Sequence, residues 1–327
     1  MYFLTLARSD SSDSSDSSGA RAPHQFGHTA VTVTTGSSRA PQSSTVGQGI
    51  MWMLLAMFMF ASMDASVKYL VKLYPTAQVV WARFFFHLIL IAMVFMRRIP
   101  YLIQTTNRRL QLGRSVLLLS TTVLFFTGLR FVPLAEASSM MMVSPLIVTA
   151  LSMPLLREPV GPKRWASVAI GFGGALIIIR PGGEIMQLAV LFPLAAAATY
   201  ALYQISTRFL SQSDPVLTTL FYSAIGGTLL TSVVVPFVWI SPTPEDRLLM
   251  VYIGLCGGLG HFAMIKSFNA APAAAVVPFT YSGIIWATSY GFFLYGDFPD
   301  NWTLVGASVV AASGLYIFFR EQKHHRR

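Results

Sequence analysis

Arg130-Phe131-Val132-Pro133 opens a long apolar run that closes at Arg157-Glu158-Pro159, and a second apolar run follows to Arg180. The same plan returns near the C-terminus: Asn269-Ala270-Ala271-Pro272, an apolar run, Gly296-Asp297, and another apolar run to Arg320. The spacing from Pro133 to Glu158 equals that from Pro272 to Asp297. Such recurrence indicates two copies of one unit. Each copy reads as five apolar stretches near the ~20 residues that a membrane-crossing helix needs.

Composition agrees. The chain has 327 residues, 54% hydrophobic and 11% charged, where soluble domains average about 25% charged. Too few charges remain to coat a water-facing surface, so the chain reads as a polytopic membrane protein. Its formal charge of +10 is better explained by basic loops on one membrane face than by a nucleic-acid partner, for which no basic stripe is present. The single cysteine, Cys256, allows no intrachain disulfide.

Ten spans are predicted, at about 51–71, 77–96, 112–130, 134–156, 164–180, 186–208, 216–239, 248–267, 273–294 and 302–319. Pro75, Pro100, Pro133, Gly161-Pro162, Pro181-Gly182-Gly183, Pro215, Pro242, Pro272 and Pro299 punctuate them. The fold class is all-α, with ten transmembrane helices in two inverted five-helix repeats. Residues 1–48, with Ser-Asp repeats over Ser9–Ser18, cannot bury a core and are expected to be disordered. They contain no apolar signal-peptide core, and initiation at Met51 or Met53 would start the chain at its first helix. The repeats are assigned to 49–182 and 183–320, with a basic tail at 321–327.

Placing both termini in the cytoplasm puts Arg97, Arg98, Arg108, Arg109, Arg114, Lys163, Arg164 and the C-terminal basic residues inside. Lys68, Lys72, Arg130, Arg180 and Arg247 fall at outer ends, so the bias supports this orientation. Five spans is an odd number, so the second copy enters from the opposite face. The loop around Glu158 accordingly carries Arg157, Lys163 and Arg164, whereas its counterpart carries Asp297 and Asp300.

These residues resemble the EamA-type transporters of the drug/metabolite transporter superfamily. The likeness rests on Trp81-Ala82-Arg83-Phe84, Val132-Pro133-Leu134-Ala135, Pro145, Leu156-Arg157-Glu158 and Gly171-Phe172-Gly173-Gly174. In the second copy it rests on Pro272, Pro278, Tyr295-Gly296-Asp297 and Ser313-Gly314. Asp297 stands where Glu is usual, a change expected to matter little in a loop. The resemblance covers about residues 50–320 and implies alternating-access movement of a small organic metabolite, such as an amino acid or a related anionic or zwitterionic compound. It also implies residence in a bacterial inner membrane. It implies that the movement is commonly outward, and leaves substrate identity, coupling and oligomeric state open; no cofactor or metal is expected.

Ionisable groups inside spans are costly and therefore candidates for function. Asp64 and Lys68 lie one turn apart on the first span, and Arg83 and His87 one turn apart on the second. Either this cluster lines the transport path, or an Asp64–Arg83 or Asp64–Lys68 pair locks the two helices while Lys68 snorkels to the headgroups. Glu136 suits the dipole of a first turn after Pro133 or couples protons. His261 is satisfied by a neighbouring helix or shuttles a proton. Pro145 and Pro278 interrupt corresponding spans and free the carbonyls of Met141 and Ala274, which marks a binding site in transporters. Tyr200, Tyr203, Gln204, Tyr281 and Trp286 supply pocket walls or interfacial anchors. Gly254 and Gly258, with Gly171, Gly173 and Gly174, allow close helix approach.

An enzyme is disfavoured. No phosphate-binding G-x-x-x-x-G-K-[ST] occurs, Gly306-Ala307-Ser308-Val309-Val310 lacks the second glycine of a nucleophile elbow, and His324-His325 is an isolated tail pair. An intramembrane enzyme and a non-transporting scaffold remain the competing classes.

Overall fold

A computed structural model describes residues 43–156, 161–179, 186–210 and 213–325. The expectations for the tail, the Arg157-Glu158 loop and Pro181-Gly182-Gly183 lie outside the described residues. Without water to satisfy backbone groups, a helix that bonds its own N–H and C=O is the economical solution, and among the described residues no strand occurs. The helices are α1 (Ser43–Leu73), α2 (Thr76–Phe95), α3 (Ile99–Leu102), α4 (Arg108–Leu129), α5 (Leu134–Met141), α6 (Ser144–Leu156), α7 (Pro162–Ile179), α8 (Met186–Leu210), α9 (Val216–Val238), α10 (Pro244–Ala270), α11 (Ala273–Val276), α12 (Ser282–Tyr295) and α13 (Asn301–His325). Among the described residues seven helical stretches are long and apolar enough to cross a membrane, and Trp165–Ile179 and Asn301–Ile317 are shorter apolar helices.

The boundaries follow local chemistry. Pro75 ends the α1–α2 turn in extended geometry. The Thr243 hydroxyl accepts the Asp246 N–H (3.2 Å) ahead of Pro244, Glu245 and Asp246, a sequence suited to a helix start. Gly296 closes α12 at φ 69°, and the Asp297 N–H bonds back to Gly291 O (3.0 Å). That left-handed cap costs a glycine little and turns Asp297 back toward the bundle.

Both proline interruptions are real, but the first is a break rather than a kink. The helix stops at Met141, passes Met142-Val143 through short 3₁₀-type bonds, and restarts at Ser144 with Pro145 in the new first turn, where a missing N–H costs nothing. In the second half a 3₁₀ segment, Val277–Tyr281, carries Pro278 between α11 and α12. α1 begins upstream of Met51, and the Ser267 hydroxyl on α10 donates to Gly49 O (2.7 Å), so residues before Met51 belong to the fold.

Packing joins the halves. α1 lies against α10 and α12, α4 against α8 and α9, α2 against α9 and α10, α7 against α13, and α5 and α6 against α8. Glycine sets the closest approaches. A Cβ on Gly254 would meet Phe86 of α2 at 2.4 Å, and one on Gly258 would meet His87 at 2.9 Å. Gly174 and Gly306 face one another's carbonyls across α7 and α13. Gly173, expected to share this role, faces open space.

Polar ties close the bundle ends. Gln78, fully buried, donates to Ile240 O (2.8 Å) and accepts Ile240 N–H (3.0 Å). Between α8 and α9, Asp214 accepts from Thr106 Oγ1 (2.9 Å), Gln111 Nε2 (2.8 Å), the Thr106 N–H (3.2 Å) and the Thr105 hydroxyl. Burial pushes this carboxyl up, but the hydrogen bonds from Thr105, Gln111 and Thr106 outweigh it and hold it below the ordinary value. A depressed pKa stabilises the fold above the unfolded value near 3.9, and that contribution is lost as pH falls through the folded one. Asp214→Ala should therefore destabilise the protein by about 1–3 kcal/mol at pH 7 through its orphaned donors. In thermal unfolding, the gap from wild type should narrow as the pH drops below about 4.

Candidate functional site

Arg83 is the centre. It sits on α2 with 6% exposure, and Nη1 donates to Thr122 Oγ1 of α4 (2.9 Å). Its guanidinium lies 4.8 Å from the Phe84 ring and 5.9 Å from that of Phe126. Its Nε is buried with no hydrogen-bond partner among the described residues. Asp64 of α1, half-buried, acts on Arg83 through space. The expected contact pair between them does not form; among the described residues the ion pair is Lys68–Asp297. Arg83 thus keeps a donor without a partner among the described residues and feels an acid that it does not contact.

Tyr200 and Tyr203 of α8 lie within electrostatic reach of Arg83. Their rings stack at 5.5 Å and 17°. Tyr203 is held by Arg114 of α4, whose Nη2 donates to the phenol oxygen (2.6 Å) and whose guanidinium lies 4.3 Å from the ring. Arg114 also donates to Thr207 Oγ1 (2.7 Å), Thr219 O (2.8 Å) and Ser223 Oγ (2.6 Å). Sequence reasoning counted Arg114 among loop charges and missed it here. The available signal was its position just inside the fourth helix, too deep for a surface arginine.

The remaining candidates divide. Gln204 Nε2 donates to Ser144 Oγ (3.1 Å), so α8 touches the break between α5 and α6. Trp286 meets Phe58 edge-on at 5.1 Å, and its indole N–H is buried without a partner among the described residues. Beside it the Ser62 and Tyr290 hydroxyls lie 2.6 Å apart. His87 and His261, read separately from sequence, stack at 5.8 Å between α2 and α10, and Phe60 packs edge-on against His261 at 5.0 Å. Glu136 occupies the first turn of α5 and is half-buried. Tyr281 instead turns its hydroxyl against Gly314 of α13, within 2.2 Å of where a Cβ would stand. Pro145 and Pro278 shape the helix breaks.

Lys68 requires correction. It neither snorkels nor pairs with Asp64. At 4% exposure, its Nζ donates to Asp297 Oδ2 (2.7 Å) and Val132 O (3.4 Å), and it lies 5.1 Å from the Tyr295 ring. Tyr295 in turn donates to Ala65 O (2.5 Å). Asp297, read from sequence as a loop acid, thus ties the end of α12 through Lys68 to α1 and the α4–α5 turn.

A bundle of apolar helices with charged and aromatic side chains buried in its interior defines an integral multi-pass membrane protein. The EamA-like transporter family model matches residues 47–180 and again 187–319, and the chain belongs to this family. Its family and relatives are transporters rather than enzymes. An S-adenosylmethionine uptake transporter of Rickettsia bellii (strain RML369-C) is 27% identical over 286 residues, covering 85% of this chain and 96% of that protein. A riboflavin transporter of Vibrio cholerae serotype O1 is 28% identical over 292 residues, covering 86% and 96%. One solved crystal structure superposes with a TM-score of 0.60 at 14% identity, over 86% of this chain and 98% of that one, which establishes likeness of fold alone.

The tie at Lys68 is asymmetric, because Lys68 is buried while the Asp297 side chain is 38% exposed. Asp297→Asn strands an ammonium in the interior and should cost about 1–3 kcal/mol. Lys68→Met leaves a carboxylate that water can reach and should stay within about 1 kcal/mol. Thermal unfolding of both variants in one detergent checks this order.

Proposed function

We propose that the chain is a ten-pass secondary transporter built of two inverted five-helix repeats, 49–182 and 183–320, which moves a small anionic or zwitterionic metabolite by alternating access. The family membership supports the class. The packing supports the repeat. Exchanging each helix for its counterpart in the other half carries the α1–α10 pairing onto α4–α8, and α2–α10 onto α4–α9. The α1–α12 pairing is carried onto α8 with α5 and α6, while α2–α9 and α7–α13 map onto themselves. Such a bundle can rock about a central site.

The observation that carries the reading is Arg83: buried, with an Nε donor that has no partner among the described residues, and within electrostatic reach of Asp64 and of two stacked tyrosines. A carboxylate fits the guanidinium, an ammonium or other cation fits Asp64, and a ring fits Tyr200 or Trp286. S-adenosylmethionine combines all three features, and riboflavin offers the ring, so relatives of both kinds suit this chemistry. The bacterial relatives favour the cell membrane as location, and the Lys and Arg distribution favours cytoplasmic termini.

Uptake into proteoliposomes of labelled S-adenosylmethionine, riboflavin and an amino-acid panel, with and without a pH gradient, tests the proposal. One substrate should move above empty liposomes. Arg83→Ala and Asp64→Asn, at equal protein level, should slow it about 10- to 100-fold, and Arg83→Lys should recover only part of the rate because the planar fork is lost. Normal uptake by Arg83→Ala would overturn the site.

A further inference from the structure

A cavity lies between α2, α9 and α10, on the side of α2 that carries His87. It holds about 130 Å³ and is lined almost wholly by apolar side chains, among them Ile91, Leu102, Leu220 and Phe262, with His87 and Gly258 at its deep end. Val94 and Leu259 at its mouth are 61% and 46% exposed. α2, α9 and α10 are of membrane-crossing length, and the exposed apolar side chains at the mouth suit a face turned to lipid.

Its rim is basic. α2 ends at Phe95, which lines the cavity, and the next turn carries Arg97 and Arg98, both exposed. From the other wall Lys266, also exposed, places Nζ 5.5 Å from the ring of Phe262. From His87 to Phe95 the slot follows eight residues of helix, about 12 Å. We propose that this cleft binds an anionic phospholipid of the surrounding bilayer, with a short segment of one acyl chain in the slot and the headgroup on Arg97, Arg98 and Lys266.

Chemistry selects this occupant. A zwitterionic solute would find one polar side chain, His87, and nothing to neutralise it. A second copy related by a two-fold axis would bring the same basic rim against itself. A neutral lipid would fill the slot but leave three cations at the headgroup level unmatched, whereas anionic headgroups attract such clusters. The bound chain would end against His87, one helical turn from Arg83, and would brace α2 against α9 and α10 of the other half.

Native mass spectrometry of the full chain, released from nanodiscs of equal parts phosphatidylglycerol and phosphatidylcholine, tests this. Wild type should retain phosphatidylglycerol over phosphatidylcholine by roughly fivefold. The combined variant Arg97→Gln, Arg98→Gln and Lys266→Gln, altering only exposed side chains, should bring the ratio to parity. Leu220→Trp, which fills the slot, should reduce retention of both lipids. Equal retention by wild type, an unchanged ratio in the triple variant, or a lipid-free dimer closed over this face would overturn the proposal. Solute transport enters none of these readings, so they stand apart from the assignment of the polar centre.

Discussion

A guanidinium inside a bundle of apolar helices must be compensated, because an unpaired buried charge is among the most expensive features a membrane protein can carry. Arg83 is compensated only in part. Thr122 takes one donor, aromatic faces soften the surroundings, and Asp64 acts from a distance. Nε is left over. Incomplete satisfaction of a buried arginine is the feature on which the proposed site rests, because a fully paired guanidinium would have no donor to offer.

The rest of the bundle makes this tolerable. α4 runs about 33 Å between two polar ties. Near its start Gln111 joins Asp214 in the α8–α9 turn, and just beyond its end Val132 joins Lys68 and through it Asp297. Each tie links a turn of one half to an element of the other. Between them α4 is bonded to its neighbours through Arg114, Ser115, Thr121 and Thr122, so it is fixed along its length and not only at its ends. The breaks at Met142-Val143 and Val277–Tyr281 leave irregular backbone in both halves, and such backbone is tolerated at membrane depth where protein or a cavity satisfies it.

Arg114 and Tyr203 add a second lesson. Arg114 spends its donors on four groups of α8 and α9, so it serves as a fixed strut for the tyrosine platform. The two buried arginines thus take different parts: one positions, the other remains available. Residue type alone does not distinguish them; their donor inventories do.

The amino-acid order was enough to establish an all-helical membrane protein, the proline interruptions and the oddity of Asp64, Arg83, His87 and His261 in apolar surroundings. These are local properties: apolar run length, missing N–H groups and the cost of a charge can be read residue by residue. Pairing could not be read that way. Lys68 meets an acid 229 positions away, Arg114 leaves the loop census for the interior, and the two histidines become neighbours, because each outcome depends on which helix faces lie together. Helix faces are chosen by packing across the whole bundle, by Gly254, Gly258, Gly174 and Gly306 among others, and that choice exists only once both halves have closed on one another.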